Sequence, residues 1–160
     1  GISGVKILAQ TGGPEQLRNG LGLALFGGFR VSESLALELG WDQSFHNPAA
    51  VHTAYGEDLD HLVLASVTGD ARLYLESSES FFPYVTGGVG FYSLGSQVFG
   101  LDSVGTGFQL GGGFEYASSS VMRLGIRARY RGIAMGPPSG GVEDLFISAA
   151  TVEGMVSLHF

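Results

Sequence analysis

Residues 121–131 read Val121-Met122-Arg123-Leu124-Gly125-Ile126-Arg127-Ala128-Arg129-Tyr130-Arg131. Taken alternately, they split into two sets. Met122, Leu124, Ile126, Ala128 and Tyr130 form one; Arg123, Gly125, Arg127, Arg129 and Arg131 form the other. An extended strand puts successive side chains on opposite sides, whereas a helix would scatter these arginines around its circumference. The segment therefore reads as a strand with one apolar face and one cationic face.

The same two-residue alternation marks eight segments, at about 2–9, 20–30, 34–46, 59–76, 81–93, 105–117, 121–134 and 145–160. Each is near or above the nine to eleven residues (about) that a tilted strand needs to cross a bilayer. Three connections are tight: Val31–Ser34, Ser77–Ser80 and Ser118–Ser120. Four are long, at about 10–19, 47–58, 94–104 and 135–144. Short and long connections in alternation imply an all-β, antiparallel up-and-down meander, with residues 1–160 forming a single domain. An even strand count brings both termini to the short-turn side.

The faces decide the solvent. Apolar faces include Leu21, Leu23, Leu25 and Phe29; Leu35, Leu37, Leu39 and Trp41; Phe108, Leu110, Phe114 and Tyr116; and Phe146, Val152, Val156, Leu158 and Phe160. The opposite faces carry Arg30, Glu38, Asp42, Asp70, Arg72, Glu115, Arg123, Arg127, Arg129, Arg131 and Glu153, together with Lys6. Leu62 and Leu64 fall on this second face as well. A soluble barrel would hide the leucines and expose the arginines. A barrel in lipid does the reverse, and gathers opposite charges into an ion-pair network in its lumen. A spanning sheet must also close, because hydrocarbon cannot satisfy the backbone groups of a free edge.

Composition agrees. The 160 residues include 27 Gly, and 44% are hydrophobic, with a mean hydropathy of +0.24. Glycines at 87, 88, 90, 105, 107, 111, 112 and 113 give long inward side chains room in a narrow barrel. No following helix supports a phosphate-binding reading of them. Two sets of aromatics mark the two membrane interfaces. Phe29, Tyr74, Phe82, Tyr84, Tyr116 and Phe160 are expected near the short turns; Trp41, Phe45, Phe91, Phe108, Tyr130 and Phe146 are expected near the long loops. The net charge of −7 argues against nucleic acid as a partner. No stretch of eighteen apolar residues exists, and there is no cysteine. Gly1-Ile2-Ser3-Gly4 lacks the basic start and apolar block of a signal peptide, so an exported protein would be read here in its mature form.

Three features resemble the small outer-membrane barrels of the OmpA-transmembrane-domain and OmpX-like kind. They are the eight-strand meander, the stretch Phe82-Pro-Tyr-Val-Thr-Gly-Gly-Val-Gly-Phe91, and the last segment, Thr151-Val-Glu-Gly-Met-Val-Ser-Leu-His-Phe160. The resemblance implies a multi-pass protein of a Gram-negative outer membrane with periplasmic termini. It implies contact with membrane lipids and lipopolysaccharide. It also implies that Val156, Leu158 and Phe160 form the signal read by the outer-membrane insertion machinery. Met155 stands where the family prefers Gly, one place from Gly154. No peptidoglycan-binding domain is expected after Phe160.

Candidate chemistry is thin. His46, His52 and His61 lie in or beside one long loop with Glu57, Asp58 and Asp60, where a metal or catalytic site could assemble; a solvated loop explains them as well. His159 ends the last segment. Glu15, Glu57, Asp58, Asp60, Asp102, Glu143 and Asp144, against Arg18, make the loops acidic, a composition suited to hard divalent cations bridging to lipopolysaccharide. No cofactor, metal site or enzymatic activity is expected. The leading expectation is a structural or interaction barrel that presents four long loops, alone or as an accessory subunit of an envelope assembly. The alternatives are an outer-leaflet lipid-modifying enzyme with a Ser–His–carboxylate cluster at the long-loop rim, a narrow ion pore, and a soluble lipocalin-like carrier.

Overall fold

The computed structural model describes residues 2–11, 17–48, 62–75, 80–96, 103–137 and 145–158, with side chains described for 20–46, 63–75, 80–95, 103–137 and 146–158. Eight strands are present: β1 Ile2–Thr11, β2 Leu17–Arg30, β3 Leu35–Pro48, β4 Leu62–Tyr74, β5 Phe81–Ser96, β6 Ser103–Ala117, β7 Met122–Met135 and β8 Leu145–Leu158. Each pairs antiparallel with the next, and β1 pairs antiparallel with β8, so the sheet is a closed barrel. The β7–β8 ladder runs unbroken from Met122↔Leu158 to Met135↔Leu145. The β1–β8 ladder shifts register between Ile7 and Ala9.

Several strands run past the point where alternation fades in the sequence. Leu94, Gly95 and Ser96 extend β5 because Leu64, Val63 and Leu62 of β4 stand opposite them and complete their backbone hydrogen bonds. The two fully described short turns, after β2 and β6, share one device. Val31 and Ser32 donate to the Leu35 carbonyl, and Ser32 Oγ accepts from the Leu35 amide at 3.1 Å. Ser118 and Ser119 donate in the same way to the Met122 carbonyl, and Ser119 Oγ accepts from the Met122 amide at 3.0 Å. Serine suits both places because its hydroxyl satisfies a turn amide that no ladder reaches.

The barrel is inverted relative to a soluble one. Leu21 is 73% exposed and Phe91 73%, whereas Arg127 is 2% exposed and Arg131 1%. The exposed apolar faces form the band that meets lipid. Phe29, Tyr116, Trp41, Phe45, Phe91, Phe108, Tyr130 and Phe146 all lie on it. Tyr74 and Tyr84 do not belong to the short-turn girdle: both are buried inside, and Phe82 packs against them. Their parity explains this, because Tyr74 is two residues from Arg72 and Tyr84 stands opposite Tyr74 on β5. Phe160 lies outside the described residues.

Glycine gives the interior its space. A Cβ at Gly111 would lie 2.9 Å from Arg129 Cγ, and one at Gly113 would lie 2.9 Å from Tyr84 Oη. On the lipid side, the Phe108 ring covers Gly132, its partner in register.

This sidedness predicts a position-dependent response to charge. Leu110→Arg, mid-strand on the lipid face of β6, should lose about 2–4 kcal/mol in urea unfolding from lipid vesicles, while Val156→Arg near the end of β8 should lose about 1 kcal/mol or less. Equal losses at the two positions would contradict the assigned band.

Candidate functional site in the barrel lumen

In a closed ring of eight, β3 and β7 stand four strands apart, on opposite walls. β7 projects long arginines inward and β3 projects carboxylates, so their pairs cross the lumen. Arg127 Nη1 donates to Glu38 Oε1 at 2.5 Å. Arg131 grips Asp42 at two points, Nη1 to Oδ1 at 2.8 Å and Nη2 to Oδ2 at 2.7 Å. The planar guanidinium makes such two-point contact with a carboxylate natural.

Neighbouring strands complete the network. Glu153 of β8 accepts from Arg127 Nε at 2.9 Å and Nη2 at 2.8 Å, and also from Arg129. Arg72 of β4 donates to both Glu38 and Glu115. Arg123 reaches Glu115 at 3.3 Å. Asp70 forms no ion pair with an arginine among the described residues: it accepts from Gln109 Nε2 at 2.6 and 2.7 Å and from Thr68 Oγ1 at 3.1 Å. Gln109 Oε1 in turn accepts from Arg129 Nη1 at 3.0 Å. Ser66 Oγ donates to Asp42 at 2.7 Å. Gln109, Ser66 and Thr68 were not singled out in the sequence, although their parity on β6 and β4 already put them on the inner face.

Arg30 is a correction. It shares the inward parity, yet it is exposed at the end of β2, with its guanidinium 4.4 Å from the centre of the Tyr74 ring. It forms no ion pair among the described residues. Glu38, the nearest inward carboxylate on the paired strand, is already held by Arg72 and Arg127, and water at the mouth removes the penalty of an unpaired charge. The described lumen therefore balances. Arg72, Arg123, Arg127, Arg129 and Arg131 face Glu38, Asp42, Asp70, Glu115 and Glu153. Lys6 sits opposite Ala150 in register, and its side chain lies outside the described residues.

Apolar layers cap the ionic one. At the long-loop end Leu64, Tyr92, Leu94, Ile133, Met135 and Ile147 form one buried cluster. At the short-turn end Tyr74, Tyr84 and Met155 form another, flanked by Phe26, Ala36 and Phe82. Tyr74 and Tyr84 meet edge to face at 5.8 Å. Arginines stack on this lower layer, Arg72 at 4.3 Å from the Tyr84 centroid and Arg123 at 4.0 Å from that of Phe82.

One catalytic combination does occur. Asp42, Ser44 and His46 alternate along the inner face of β3, and His46 Nε2 is 2.9 Å from Ser44 Oγ. The pair is sealed inside, with His46 at 0% and Ser44 at 1% exposure. Asp42 is turned away from it, engaged by Arg131 and Ser66. A Ser–His–carboxylate triad needs the nucleophile open to substrate, and Ser44 is buried. Among the described residues no group of three or more His, Asp or Glu is placed to hold a metal. His52, His61, His159, Glu57, Asp58, Asp60, Glu15, Asp102, Glu143 and Asp144 lie outside the described residues, as does the Arg18 side chain. Val156 and Leu158 face outward on β8.

A closed barrel with lipid-seeking residues outside and paired charges inside defines an integral membrane β-barrel. Residues 2–160 match the outer membrane protein beta-barrel domain, and the chain belongs to that family. It is a transmembrane protein of the Gram-negative outer membrane. Its fold is similar to that of Neisserial surface protein A, NspA (16% identity over 94% of this chain and 93% of that one, TM-score 0.61). It is also similar to the outer membrane protein OprG from Pseudomonas aeruginosa (14%, 100% and 92%, TM-score 0.64), and to Ail, the attachment invasion locus protein of Yersinia pestis (15%, 99% and 95%, TM-score 0.50). No curated protein matches the sequence significantly.

The cross-lumen pairs make a directional prediction. Asp42→Leu strands Arg131 and should cost about 3–5 kcal/mol; adding Arg131→Met should recover most of that loss. Urea unfolding in lipid, read as a double-mutant cycle, measures both. A double variant no more stable than the single one would refute the pairing.

Proposed function

We propose that this protein is a structural or interaction barrel, one that anchors in the outer membrane and presents its four long connections outside, with both termini periplasmic. The carrying observation is the described interior: among the described residues a balanced ionic layer lies between two apolar clusters. Function then falls to the outer surface and the loops. The exposed apolar band suits lipid, including the acyl chains of lipopolysaccharide. The outward alternation of Val156 and Leu158 supports their reading, with Phe160, as the signal for the insertion machinery. A role as an accessory subunit of an envelope assembly fits a barrel whose described interior is taken up by ion pairs and packing. A lipid-modifying enzyme is disfavoured because the Ser44–His46 pair faces inward and is sealed from the outer leaflet.

Replacing each long connection with a short Gly/Ser turn tests the assignment. The shortened protein should still insert and migrate as a heat-modifiable folded barrel, while cross-linked adducts formed by the intact protein in native outer membranes should be lost. In planar bilayers the intact protein should show no steady conductance. Steady large conductance would replace this reading with a pore, and altered lipid A or phospholipid after incubation would replace it with an enzyme.

A further inference from the structure

The lipid face is not uniform in relief. In register, Leu37 of β3 stands beside Ala71 of β4, Gly87 of β5 and Leu110 of β6, and the next outward row runs Leu39, Gly69, Val89 and Phe108. Outward side chains thus fall from leucine on β3 to alanine and glycine on β4 and β5, then rise again on β6. An open groove of about 400 Å³ lies there, lined by Ala71, Leu73, Val85, Gly87 and Leu110. A Cβ at Gly87 would lie 3.2 Å from Leu110 Cδ2, so this leucine covers one side of a bare floor. The backbone beneath is paired on both sides. From the inner side, Thr86 Oγ1 also donates to the Ala71 carbonyl at 3.2 Å. The floor therefore asks for no polar partner.

The groove has a direction. Its lining lies in the Ala71–Gly87–Leu110 row or on the short-turn side of that row. Toward the long loops, Val67 follows Gly69 and Val89 follows Gly87, and both valines are exposed and rise above the floor. The depth is informative as well. Gly87 is six residues from Phe81, the exposed first residue of β5. That is about 20 Å along a strand and roughly 15 Å of height at barrel tilt, half of a hydrocarbon core of about 30 Å. A chain entering from the short-turn side ends at that depth.

The groove is continuous with the exposed apolar band, so hydrocarbon is what reaches it. Left unfilled, its lining forfeits dispersion contacts. The short connections at 31–34 and 77–80 carry Glu33 and Glu79 and no base, which favours a headgroup bearing an ammonium over a purely anionic one. We propose that the groove across β4, β5 and β6 is a seat for one acyl chain of an amine-headgroup phospholipid in the short-turn leaflet, with the chain tip at Gly87. The orientation in the proposed function makes that leaflet the periplasmic one.

Isotope-labelled full-length protein in bicelles, doped with phosphatidylethanolamine carrying a nitroxide at mid-chain or at the chain end, tests this by amide line broadening. The chain-end label should broaden Ala71 and Gly87 more than Val152, which is mid-strand on β8 across the barrel from β4. The mid-chain label should broaden Leu73 and Val85 more than Val67 and Val89. Ala71→Leu fills the groove and should remove the excess at Gly87 with the folded barrel spectrum retained. These positions are read against the strand ends, so the result does not depend on which end is periplasmic; protease access to the termini in cells tests that separately. Broadening at Gly87 no greater than at Val152 would overturn the proposal, leaving ordinary bulk lipid. So would a mid-chain effect strongest at Val67 and Val89, which would bring the chain from the other leaflet, or an equal excess with labelled phosphatidylglycerol, which would remove the headgroup preference.

Discussion

Hydrocarbon accepts no hydrogen bonds, and the rest of this structure follows from that. Every amide of a spanning strand must find a neighbour, so the sheet has no free edge and β1 returns to β8. The same solvent draws leucine and phenylalanine outward. The interior receives what lipid rejects, here arginine and carboxylate with Ser, Thr and Gln, between two apolar clusters. The inverted barrel and the luminal ion pairs are thus two results of one constraint.

A narrow lumen then makes geometry decisive. Eight strands leave a width that an arginine from β7 and a glutamate or aspartate from β3 can span together, so Arg127–Glu38 and Arg131–Asp42 brace opposite walls. Such pairs need not stabilise the fold more than a well-packed apolar interior would. Their geometry does restrict which register and which interior arrangement satisfy every charge at once. The bare walls at Gly107, Gly111 and Gly113 belong to the same solution, since Tyr92, Arg129 and Tyr84 occupy the space that a side chain there would take.

The interior is layered, and this bears on function. Charge alone could line an aqueous path. Among the described residues the apolar clusters above and below the ionic layer bound it, so the ion pairs lie between two packed ends.

Much of this was legible in the primary structure. The alternation in 121–131 identified a strand, its arginines identified the inner face, and the leucines of β2 and β3 identified lipid, because a period of two is a local property of extended backbone. The alternating lengths of the connections similarly implied the meander. Other features needed the closed barrel. Arg30 has the parity of a luminal residue, but its height at the mouth, where water reaches it, is set by strand stagger. Tyr74 and Tyr84 sit near strand ends as girdle residues would, yet Tyr74 shares the parity of Arg72 and the β4–β5 register sets Tyr84 opposite it. Asp70 meets Gln109 instead of an arginine because partners across a lumen are chosen by register summed over several strands, and no single strand carries that information.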